Sequence, residues 1–421
     1  MDFARSSDPA VQRQLDRLAA LSPGRDILGL ERITALLDRL GNPERRLPPV
    51  LHVAGTNGKG STCAFLRAAI EAAGLSAHVY TSPHLVRFNE RIRVAGRLID
   101  DDKLARLLKE ALDSAQGLGA SFFEVTTAAA FLAFSRTPAD ACIVEVGLGG
   151  RLDATNVIPW PVVCGIAALG IDHQAFLGDE LGQIAAEKAG IARNGVPMVT
   201  LAYPDAAEAS IDAVLAASGA LRLKQGVAWS VEQRAYRDRF GRIDLPAPAL
   251  PGAHQMRNAG LATAMLRHQD AVEVPEAALV EGIRAAHWPA RLQRLAPGPL
   301  IGRREVWLDG GHNESAADAL VQALDGQPRT ELILGMLANK DAAAFLRVLA
   351  PAVRSVSAVP VADHEHHAPE ELVRIAHGLG LPARAFADVP SALAELSGPV
   401  LIAGSLYLAG TVLALNDQAP Q

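Results

Sequence analysis

Short apolar runs alternate with amphipathic segments of helix length along most of this 421-residue chain. Apolar runs placed between helices predict strands that are buried on both faces of a parallel sheet. In the first half of the chain the predicted strands are 49–54, 78–81, 141–146, 162–169 and 197–201. The predicted helices there are 61–73, 101–115, 124–135 and 181–193. The pattern therefore indicates an α/β fold.

The alternation is interrupted twice. Residues 223–251 contain several prolines and scattered charges, which predicts loops and short edge strands. The run Ala296-Pro297-Gly298-Pro299 breaks every periodic pattern, and we place a domain boundary there. The predicted domains are 1–297 and 298–421. Between the two interruptions, helices are predicted at 254–268 and 275–287.

The second predicted domain repeats the alternation on a smaller scale and reads as a second α/β unit. Its predicted strands are 306–308, 332–334, 355–361 and 400–402. Its predicted helices are 315–324, 342–349, 369–377 and 389–396, with a last helix after Ser405.

Residues 55–61 read G-T-N-G-K-G-S and lie between a predicted strand and a predicted helix. Glycines let the backbone curl until amide groups face phosphate oxygens, and the helix N-terminus adds partial positive charge. Lys59 is expected to reach the terminal phosphates of ATP. The usual phosphate-loop spacing has glycine where Val53 stands and a hydroxyl where Gly60 stands. A Mg²⁺ ligand from elsewhere is therefore expected. The alternative is a plain glycine turn that starts a helix.

Glu145 lies at the apolar end of the predicted strand 141–146, where an unpaired carboxylate would be costly. A glycine-rich loop follows, at the strand end where α/β sheets bind ligands. The next predicted strand ends close to His173, so Glu145 and His173 are predicted to converge on one Mg²⁺. The alternative is a structural salt bridge between Glu145 and a neighbouring arginine, such as Arg151.

Motifs along nearly the whole chain point to one family. They are H-V-A-G-T-N-G-K-G-S (52–61), T-S-P-H-L (81–85), R-F-N-E-R (87–91), V-E-V-G-L-G-G-R-L-D-A-T-N (144–156), D-H (172–173), E-K-A-G-I (187–191), H-W-P-A-R-L (287–292), L-D-G-G-H-N (308–313) and G-S-L-Y-L (404–408). In this order and spacing they resemble the folylpolyglutamate synthase/dihydrofolate synthase family of the Mur-ligase superfamily.

The resemblance implies a P-loop ATPase-type domain with a mostly parallel sheet, a smaller Rossmann-like C-terminal α/β domain, and an active site between them. It implies two Mg²⁺ ions, with Ser82, Glu145 and His173 as ligands. It implies ATP contacts from Thr56, Asn57, Gly58, Lys59, Gly60, Ser61, Asn258, Arg291 and Asp309.

The resemblance also assigns substrate residues. It implies pterin contacts at Ser121, Phe122, Phe123, Glu124, Leu152, Asp153 and Ala154. Lys188 matches a lysine that is carboxylated to a carbamate in relatives. Arg91, His312 and Ser405 are candidate contacts for the incoming glutamate and the phosphate.

The implied reaction is the ATP-dependent addition of L-glutamate to dihydropteroate and to folates, carried out by a monomer. The segments L-D-A-T (152–155) and D-I-L-G-L-E-R-I (26–33) resemble the bifunctional bacterial members. The family pattern D-G-A-H-N-P reads D-G-G-H-N-E at 309–314, which leaves Asp309, His312 and Asn313 in place.

Composition excludes several other classes of protein. The net charge of −6 and the absence of a basic run disfavour nucleic-acid binding. A polar N-terminus and apolar runs too short to span a bilayer indicate no signal peptide, no membrane and a cytoplasmic protein. The cysteines, without C-x-x-C spacing, indicate reduced thiols.

The sequence disfavours three other functions. A ligase for a cell-wall nucleotide precursor is disfavoured by R-L-D-A-T-N and E-K-A-G-I, and a P-loop GTPase or motor by the lack of N-K-x-D-type base readout. A dinucleotide-binding module is disfavoured because the second half lacks G-x-G-x-x-G after a strand. The run Asp363-His364-Glu365-His366-His367 is interpreted as a solvated or structural loop rather than a metal site.

Overall fold

The computed structural model describes residues 5–21 and 28–420, in which the chain forms two compact units. The first unit consists of the chain up to Pro83, Phe88–Ala249 and Gln255–His287. The second consists of His84–Arg87, Leu250–His254 and the chain from Trp288 onwards. Residues 26 and 27, which begin the segment similar to bifunctional family members, lie outside the described residues.

A mostly parallel sheet is the centre of the first unit. Its strands are β1 (Val50–Ala54), β2 (Ala77–Tyr80), β3 (Ile92–Val94), β4 (Arg97–Leu98), β5 (Ala141–Glu145), β6 (Pro161–Ile166), β7 (Pro197–Thr200) and β8 (Leu221–Lys224). They form an eight-stranded sheet in the order β4-β3-β2-β5-β1-β6-β7-β8, and only the β2–β3 and β3–β4 pairs are antiparallel. Every residue of β1 and β5 is buried, which explains why these strands read as continuous apolar runs.

Helices cover this sheet. They are α1 (Pro9–Leu21), α2 (Glu31–Arg39), α3 (Lys59–Ala72), α4 (Asp101–Ser114), α5 (Phe122–Ser135), α6 (Gln174–Leu177), α7 (Leu181–Ala189), α8 (Asp205–Ser218), α9 (His254–Arg267) and α10 (Glu276–Ala285). Helices α3 and α10 approach closely, because Gly282 on α10 faces the backbone of Ala69. A Cβ atom at Gly282 would lie 2.5 Å from Ala69 Cα, so a larger residue would push the helices apart.

The region predicted as loops and edge strands contains a separate three-stranded antiparallel sheet. Its strands are β9 (Trp229–Glu232), β10 (Ala235–Asp238) and β11 (Gly241–Asp244). Asp238 anchors this sheet to the end of α9, because its carboxylate accepts hydrogen bonds from Arg267 Nε at 2.7 Å and Nη2 at 2.9 Å.

The second unit has its own sheet. Its strands are β12 (Gln293–Arg294), β13 (Val306–Leu308), β14 (Thr330–Leu334), β15 (Val353–Ala358), β16 (Ala383–Ala385) and β17 (Val400–Ala403). They form a six-stranded sheet in the order β12-β13-β17-β14-β15-β16, and only β12 is antiparallel to its neighbour. Its helices are α11 (Glu314–Ala323), α12 (Ala342–Leu349), α13 (Pro369–Gly378), α14 (Val389–Glu395) and α15 (Leu406–Leu415). The α/β class predicted for both halves of the chain is confirmed.

The proline-rich run lies inside the second unit, in its longest segment, which starts at Trp288. Strand β12 precedes the run and pairs with β13, which ties it to the second sheet. The run leads into a tight turn over residues 298–302, in which the amide of Gly302 donates to the carbonyl of Gly298 at 2.8 Å. Proline and glycine therefore mark a turn here, and the predicted domains 1–297 and 298–421 stay predictions.

The sequence patterns assigned no element to several strands and helices, namely α1, α2, α6, α8, β3, β4, β8, β12 and β16. They also placed some ends differently: α7 stops at Ala189, whereas the predicted helix ran to 193. Within residues 5–21 and 28–420, no helix has the length and apolar character needed to cross a membrane.

Candidate active site

The phosphate loop, residues 55–58, connects β1 directly to α3. Gly58 has φ of +82°, in the left-handed region that glycine tolerates. The amides of Thr56 and Asn57 do not point into an open loop, because both donate to the carbonyl of Ala168, at 2.8 and 3.1 Å. Helical pairing in α3 begins with the amide of Thr62, which donates to Gly58 O at 2.9 Å. The amides of residues 59–61 precede that bond and are the ones suited to face a phosphate.

A second strand end supports this loop. Thr56 Oγ1 donates to Gly170 O at 3.0 Å and accepts from Gly170 N at 3.2 Å. Gly55 packs against Ala167, and a Cβ atom at Gly55 would lie 2.9 Å from the Ala167 Cβ. The phosphate loop is therefore fixed to the segment that leaves β6 and leads to His173.

Two lysines meet at the first residue of the loop. Lys59 Nζ donates to Gly55 O at 3.1 Å and to Thr56 O at 3.3 Å. Lys188 Nζ, from α7, donates to the same Gly55 oxygen at 3.1 Å. Burial of Lys188, and secondarily the charge of Lys59, lowers the pKa of Lys188 to about 7, while Asp172 and Asp153 oppose the shift. The predicted pair of site lysines is thus close in space, with one of them poised to lose its proton.

Asn258, from α9, lies against the other end of the loop. A Cβ atom at Gly58 would be only 2.6 Å from Asn258 Oδ1, so this contact requires glycine. The Asn258 amide group is oriented by Gln255, because its Nδ2 donates to Gln255 Oε1 at 3.0 Å. The predicted ATP contact at Asn258 therefore lies beside the phosphate loop.

Glu145 is the last residue of β5, the strand next to β1, and its carboxylate is buried. Ser82, which follows β2, donates its amide to Glu145 Oε2 at 3.3 Å, so two of the three predicted metal ligands are in contact. The alternative salt bridge with Arg151 is not formed, because Arg151 pairs with Glu187 at 2.7 Å.

His173 follows β6, the other neighbour of β1, and is exposed at the start of α6. In the part of the chain that the structure describes, no group of three or more His, Cys, Asp or Glu side chains is arranged to hold a metal ion. A divalent cation would therefore need the Ser82 hydroxyl, phosphate oxygens or water besides Glu145 and His173, which fits the hard oxygen donors that Mg²⁺ prefers.

The predicted pterin contacts lie at the start of α5. Ser121 and Glu124 form a capping box, in which Ser121 Oγ accepts from Glu124 N at 3.2 Å and Glu124 Oε2 accepts from Ser121 N at 2.6 Å. The ring of Phe123 packs on Gly147, where a Cβ atom would lie 2.4 Å from the ring. The glycine loop after β5 is therefore shaped around this phenylalanine.

The second predicted pterin segment is held by its aspartate. The buried Asp153 carboxylate accepts from Thr155 Oγ1 at 2.5 Å and from Leu148 N at 2.8 Å. His52, on β1, bonds the same threonine through Nε2 at 2.9 Å. Because Thr155 Oγ1 donates to the carboxylate, the imidazole Nε2 is the donor in that contact. Leu152 and Ala154 flank Asp153 in this loop.

Arg91 is placed differently from what a substrate contact would suggest. It is fully buried, with its guanidinium 5.3 Å from the Phe88 ring centre and 5.6 Å from that of Phe122. The guanidinium therefore packs against both rings, and its positive charge lies inside the first unit. The predicted role of Arg91 toward glutamate stays a prediction.

In the second unit, Asp309 follows β13. Its carboxylate accepts from Leu292 N and from Gly311 N, both at 2.7 Å. Arg291 lies next to this loop, and a Cβ atom at Gly310 would lie 3.2 Å from Arg291 Nη1. The two ATP contacts predicted in this half of the chain are therefore neighbours.

The loops after β13 and β17 are joined. The amide of Gly404 donates to Gly311 O at 3.0 Å. Ser405 then caps α15 by accepting from Tyr407 N at 3.1 Å. His312 Nδ1 donates to Gly310 O at 2.9 Å, so that nitrogen carries the proton. Asp309, His312 and Ser405 thus lie on two connected loops of the second sheet.

The histidine-rich run at 363–367 has ordered partners of its own. His364 stacks on Tyr407 with ring centres 3.8 Å apart, and His367 bonds Glu371 and the carbonyl of Lys340. These contacts support the structural interpretation of the run.

Sequence reasoning missed three residues of the site: Arg32, His52 and Gln255. Gln255 could have been found from its spacing, because it lies one helical turn before Asn258. His52 is part of a motif, but its partner Thr155 lies far along the chain. Arg32 pairs with Glu124 on another helix, at a separation that no local pattern reports.

The chain is similar to known proteins over most of its length. No family model matches the chain. It is 37% identical to the folylpolyglutamate synthase of Lacticaseibacillus casei, in an alignment that covers 90% of this chain and 92% of the relative. Its structure is similar to E. coli FolC in complex with DHPP and ADP, with a TM-score of 0.87 and 33% identity over 99% of both chains. It is also similar to the Yersinia pestis bifunctional folylpolyglutamate synthase/dihydrofolate synthase complexed with AMPPNP and Mn ion, with a TM-score of 0.85, 31% identity, and coverage of 98% of this chain and 99% of that one.

A phosphate loop with two lysines on one carbonyl, in a parallel sheet followed by a second α/β unit, defines a P-loop ligase of the Mur-ligase fold. The conclusion is supported by sequence identity over nearly the full length of relatives. The chain belongs to the folylpolyglutamate synthase/dihydrofolate synthase family of ATP-dependent ligases.

Proposed function

We propose that this chain joins L-glutamate, through its amino group, to the carboxylate of dihydropteroate and of reduced folates, with conversion of ATP to ADP and phosphate. The observation that carries the proposal is the meeting of Lys59 and Lys188 on Gly55 O at the start of the phosphate loop. Glu145 lies at the end of the neighbouring strand, where its carboxylate can bind a metal ion beside the loop.

The chemistry follows from the poor reactivity of a carboxylate toward amines. A carboxylate oxygen first attacks the γ-phosphorus of ATP, and ADP leaves, so that an acyl phosphate is formed. Lys59 and the amides at the start of α3 stabilise the negative charge that spreads over the transferred phosphoryl oxygens. The glutamate amine then attacks the acyl carbon, loses a proton, and displaces phosphate.

Two Mg²⁺ ions are proposed to accompany the nucleotide; a similar structure with AMPPNP and Mn ion supports a divalent metal beside the nucleotide. When bound, a divalent cation neutralises phosphate charge and aligns the transferred group. Ser82, Glu145 and His173 would hold one ion, and a carbamate on Lys188 would face it. The contact of Ser82 N with Glu145 supports this set of ligands.

The start of α5 and the loop around Asp153 are proposed to bind the pterin ring. Both segments are held by hydrogen bonds within the chain, because a capping box holds the first and the Asp153–Thr155 hydrogen bonds hold the second. Pre-organised groups of this kind reduce the ordering cost of binding. Phe122 and Phe123 supply aromatic surface for a flat heterocycle.

In the second unit, Arg291 and Asp309 are proposed to contact ATP, and His312 and Ser405 the glutamate or the released phosphate. Each follows the carboxyl end of a strand or lies beside such a residue, which is where open α/β sheets bind ligands. Arg91, which packs against Phe88 and Phe122, is also proposed as a candidate for the incoming glutamate or the phosphate. The chain is proposed to act as a monomer, which light scattering at assay concentration tests.

Incorporation of labelled glutamate into an amide product tests the proposed function. Purified protein, ATP and Mg²⁺ are incubated with dihydropteroate in one arm and with a reduced folate in the other, and the labelled amide product is separated by chromatography. We expect product in both arms, with ADP formed in equal amount. Product with the folate alone would remove the dihydrofolate synthase half of the proposal. Product with neither, but with a cell-wall nucleotide precursor and its amino acid, would replace it.

A further inference from the structure

Arg32 and Glu124 form an ion pair between two helices of the first unit. Arg32 lies in the first turn of α2, and Glu124 in the first turn of α5. Arg32 Nε donates to Glu124 Oε2 at 3.1 Å, and Nη2 lies 3.1 Å from Oε1. The glutamate side chain is only 4% exposed, while that of Arg32 is 23% exposed. The pair therefore reaches from the surface into a buried carboxylate.

Few groups other than Arg32 stabilise this carboxylate. Glu124 Oε2 also accepts from Ser121 N at 2.6 Å. Glu124 Oε1 is buried, and apart from its ion-pair contact with Arg32 Nη2 it has no hydrogen-bond partner among the residues that the structure describes. A buried carboxylate that loses its ion-pair partner is strongly destabilised, so removal of Arg32 would force the turn at 121–124 to rearrange.

Helix α2 touches both segments to which pterin contacts are assigned. It packs against α5 and against the short 3₁₀ turn Ala154–Val157. That turn follows Asp153, whose side chain caps it. Gly29, just before α2, is buried and lies beside the guanidinium, since a Cβ atom there would be in ordinary van der Waals contact with Arg32 Nη1, at 3.9 Å. Arg32 is thus at the point where these elements meet.

We propose that Arg32 is a positioning residue for the pterin half of the substrate. By holding the Glu124 carboxylate, it fixes the first turn of α5, and with it Ser121, Phe122 and Phe123. This inference rests on the proposed function, since it concerns the pterin half-site. A positioning role differs from a purely structural role, which would affect the binding of every substrate alike.

The structure offers a matched control at the opposite end of the same helix. Arg136, at the end of α5, forms a two-point ion pair with Glu110 on α4, with hydrogen bonds of 2.7 and 2.6 Å. Both side chains are exposed, and neither lies near the turn at 121–124. Arg136→Gln therefore removes a charge from the same helix without disturbing that turn.

Steady-state kinetics with full-length enzyme test the proposal. Arg32→Gln, Arg32→Lys, Glu124→Gln, the Arg32→Gln/Glu124→Gln double variant and Arg136→Gln are compared, with dihydropteroate and ATP varied in turn. We expect Arg32→Gln to raise the KM for dihydropteroate about 10- to 100-fold, because small displacements of positioning groups have effects of that size. The KM for ATP should change by less than about twofold, as expected when one half-site alone is disturbed.

The remaining variants separate positioning from folding. Arg32→Lys, which keeps the charge, should recover part of the loss. The double variant should be no worse than Glu124→Gln alone, because the two residues act as one unit. Arg136→Gln should match wild type in both KM values. An equal rise in both KM values for Arg32→Gln, or a result like that of Arg136→Gln, would overturn the proposal.

Two further outcomes have definite meanings. If Arg32→Gln does not fold by circular dichroism, Arg32→Lys must show the selective rise in the KM for dihydropteroate, and its absence contradicts the inference. If wild type adds glutamate to neither dihydropteroate nor a reduced folate, the proposed function fails first. An active wild type with kinetically normal Arg32 variants would refute the positioning role alone.

Discussion

Lys188 Nζ donates a hydrogen bond to the carbonyl oxygen of Gly55 at 3.1 Å. The acceptor is the first residue of the phosphate loop, and Lys59 donates to the same atom. Lys188 is 4% exposed, so its charge is poorly solvated and is also repelled by Lys59. The loop thus begins with two amines on one oxygen, of which only the Lys59 amine is placed like a phosphate-loop lysine.

Gly58→Ala is predicted to weaken ATP binding. Gly58 has φ of +82°, and a Cβ atom there would lie 2.6 Å from Asn258 Oδ1. Alanine would therefore strain the loop and displace the side chain assigned to ATP. We expect the KM for ATP to rise at least about tenfold, equivalent to about 1.4 kcal/mol of lost binding. Isothermal titration with a non-hydrolysable ATP analogue gives the direct measurement.

Gly74→Ala is the control for backbone strain. Gly74 lies just beyond the other end of α3 with φ of +76°, and a Cβ atom there would meet nothing within 4 Å. This variant should lose about 1 kcal/mol of stability from the left-handed conformation, with ATP binding unchanged. Equal ATP affinity in the two variants would show that the contact with Asn258 has no role in binding.

Glu145→Gln is predicted to abolish turnover while the protein stays folded. The change keeps the size of the buried side chain and its ability to accept from Ser82 N, but removes the negative charge. We expect kcat to fall by at least about 10²–10³, the scale seen when one transition-state electrostatic contact is lost. Wild-type ligation by this variant would eliminate Glu145 as a metal ligand.

A second glutamate serves as the reference for that experiment. Glu110, on α4, is exposed and paired with Arg136. Glu110→Gln removes the same charge far from β5 and should leave kcat within about twofold of wild type, as is usual for surface substitutions. Titration with Mg²⁺ or Mn²⁺ should then show a raised metal requirement for Glu145→Gln only.

The sheet could be predicted from sequence because its strands are buried throughout. Strands β1 and β5 are buried at every position and apolar except for His52 and the terminal Glu145, and glycine marks the turn after β1. Helix α8 was missed for the opposite reason. It is alanine-rich and buries mainly Ala207, Ile211 and Leu215, so its apolar stripe is narrow.

The site was only partly predictable for a similar physical reason. Lys59 and Glu145 could be predicted because each lies at or just after the end of an apolar run. The contact of Arg32 with Glu124 depends on how α2 packs on α5, which no periodicity records. Likewise, the amides of Thr56 and Asn57 are not available to a phosphate, because both donate to Ala168 O. That contact depends on the segment that follows β6, the strand beside β1. Local pattern gives the elements, while their packing decides which groups remain for ligands.

His52→Gln is predicted to flatten the pH dependence of stability. Burial, and secondarily Arg193, lowers the pKa of His52 from 6.5 to about 3. The fold therefore favours the neutral ring. That contribution is complete above pH 6.5 and is lost as the pH falls toward 3. At pH 5 wild type should have lost about 2 kcal/mol from this residue, at about 1.4 kcal/mol for each pH unit below 6.5.

Glutamine keeps an N–H group for Thr155 but does not titrate. Urea unfolding of both proteins at pH 7 and pH 5 measures the effect. His52→Gln should be the less stable protein at pH 7, and the gap should narrow by about 2 kcal/mol at pH 5. Stability curves that run parallel between the two pH values would mean that His52 does not carry this titration.

Lys188 is predicted to be carboxylated. With a pKa of about 7, half of its amine is neutral at pH 7, against roughly 1 in 3,000 for an ordinary lysine. Only the neutral amine reacts with carbon dioxide, and the product is an anion that a metal at Glu145 would stabilise. Carbon-13 NMR with labelled bicarbonate should therefore show a carbamate signal that Lys188→Ala lacks. Because a proton is released on reaction, the signal and the activity should both fall as the pH drops below about 7.

Lys188→Ala should recover part of its lost activity with a short carboxylic acid, whereas Lys109→Ala, on the exposed face of α4, should need none. A fully active enzyme after removal of bicarbonate, with no carbamate signal at pH 8, would show that Lys188 acts as a plain amine.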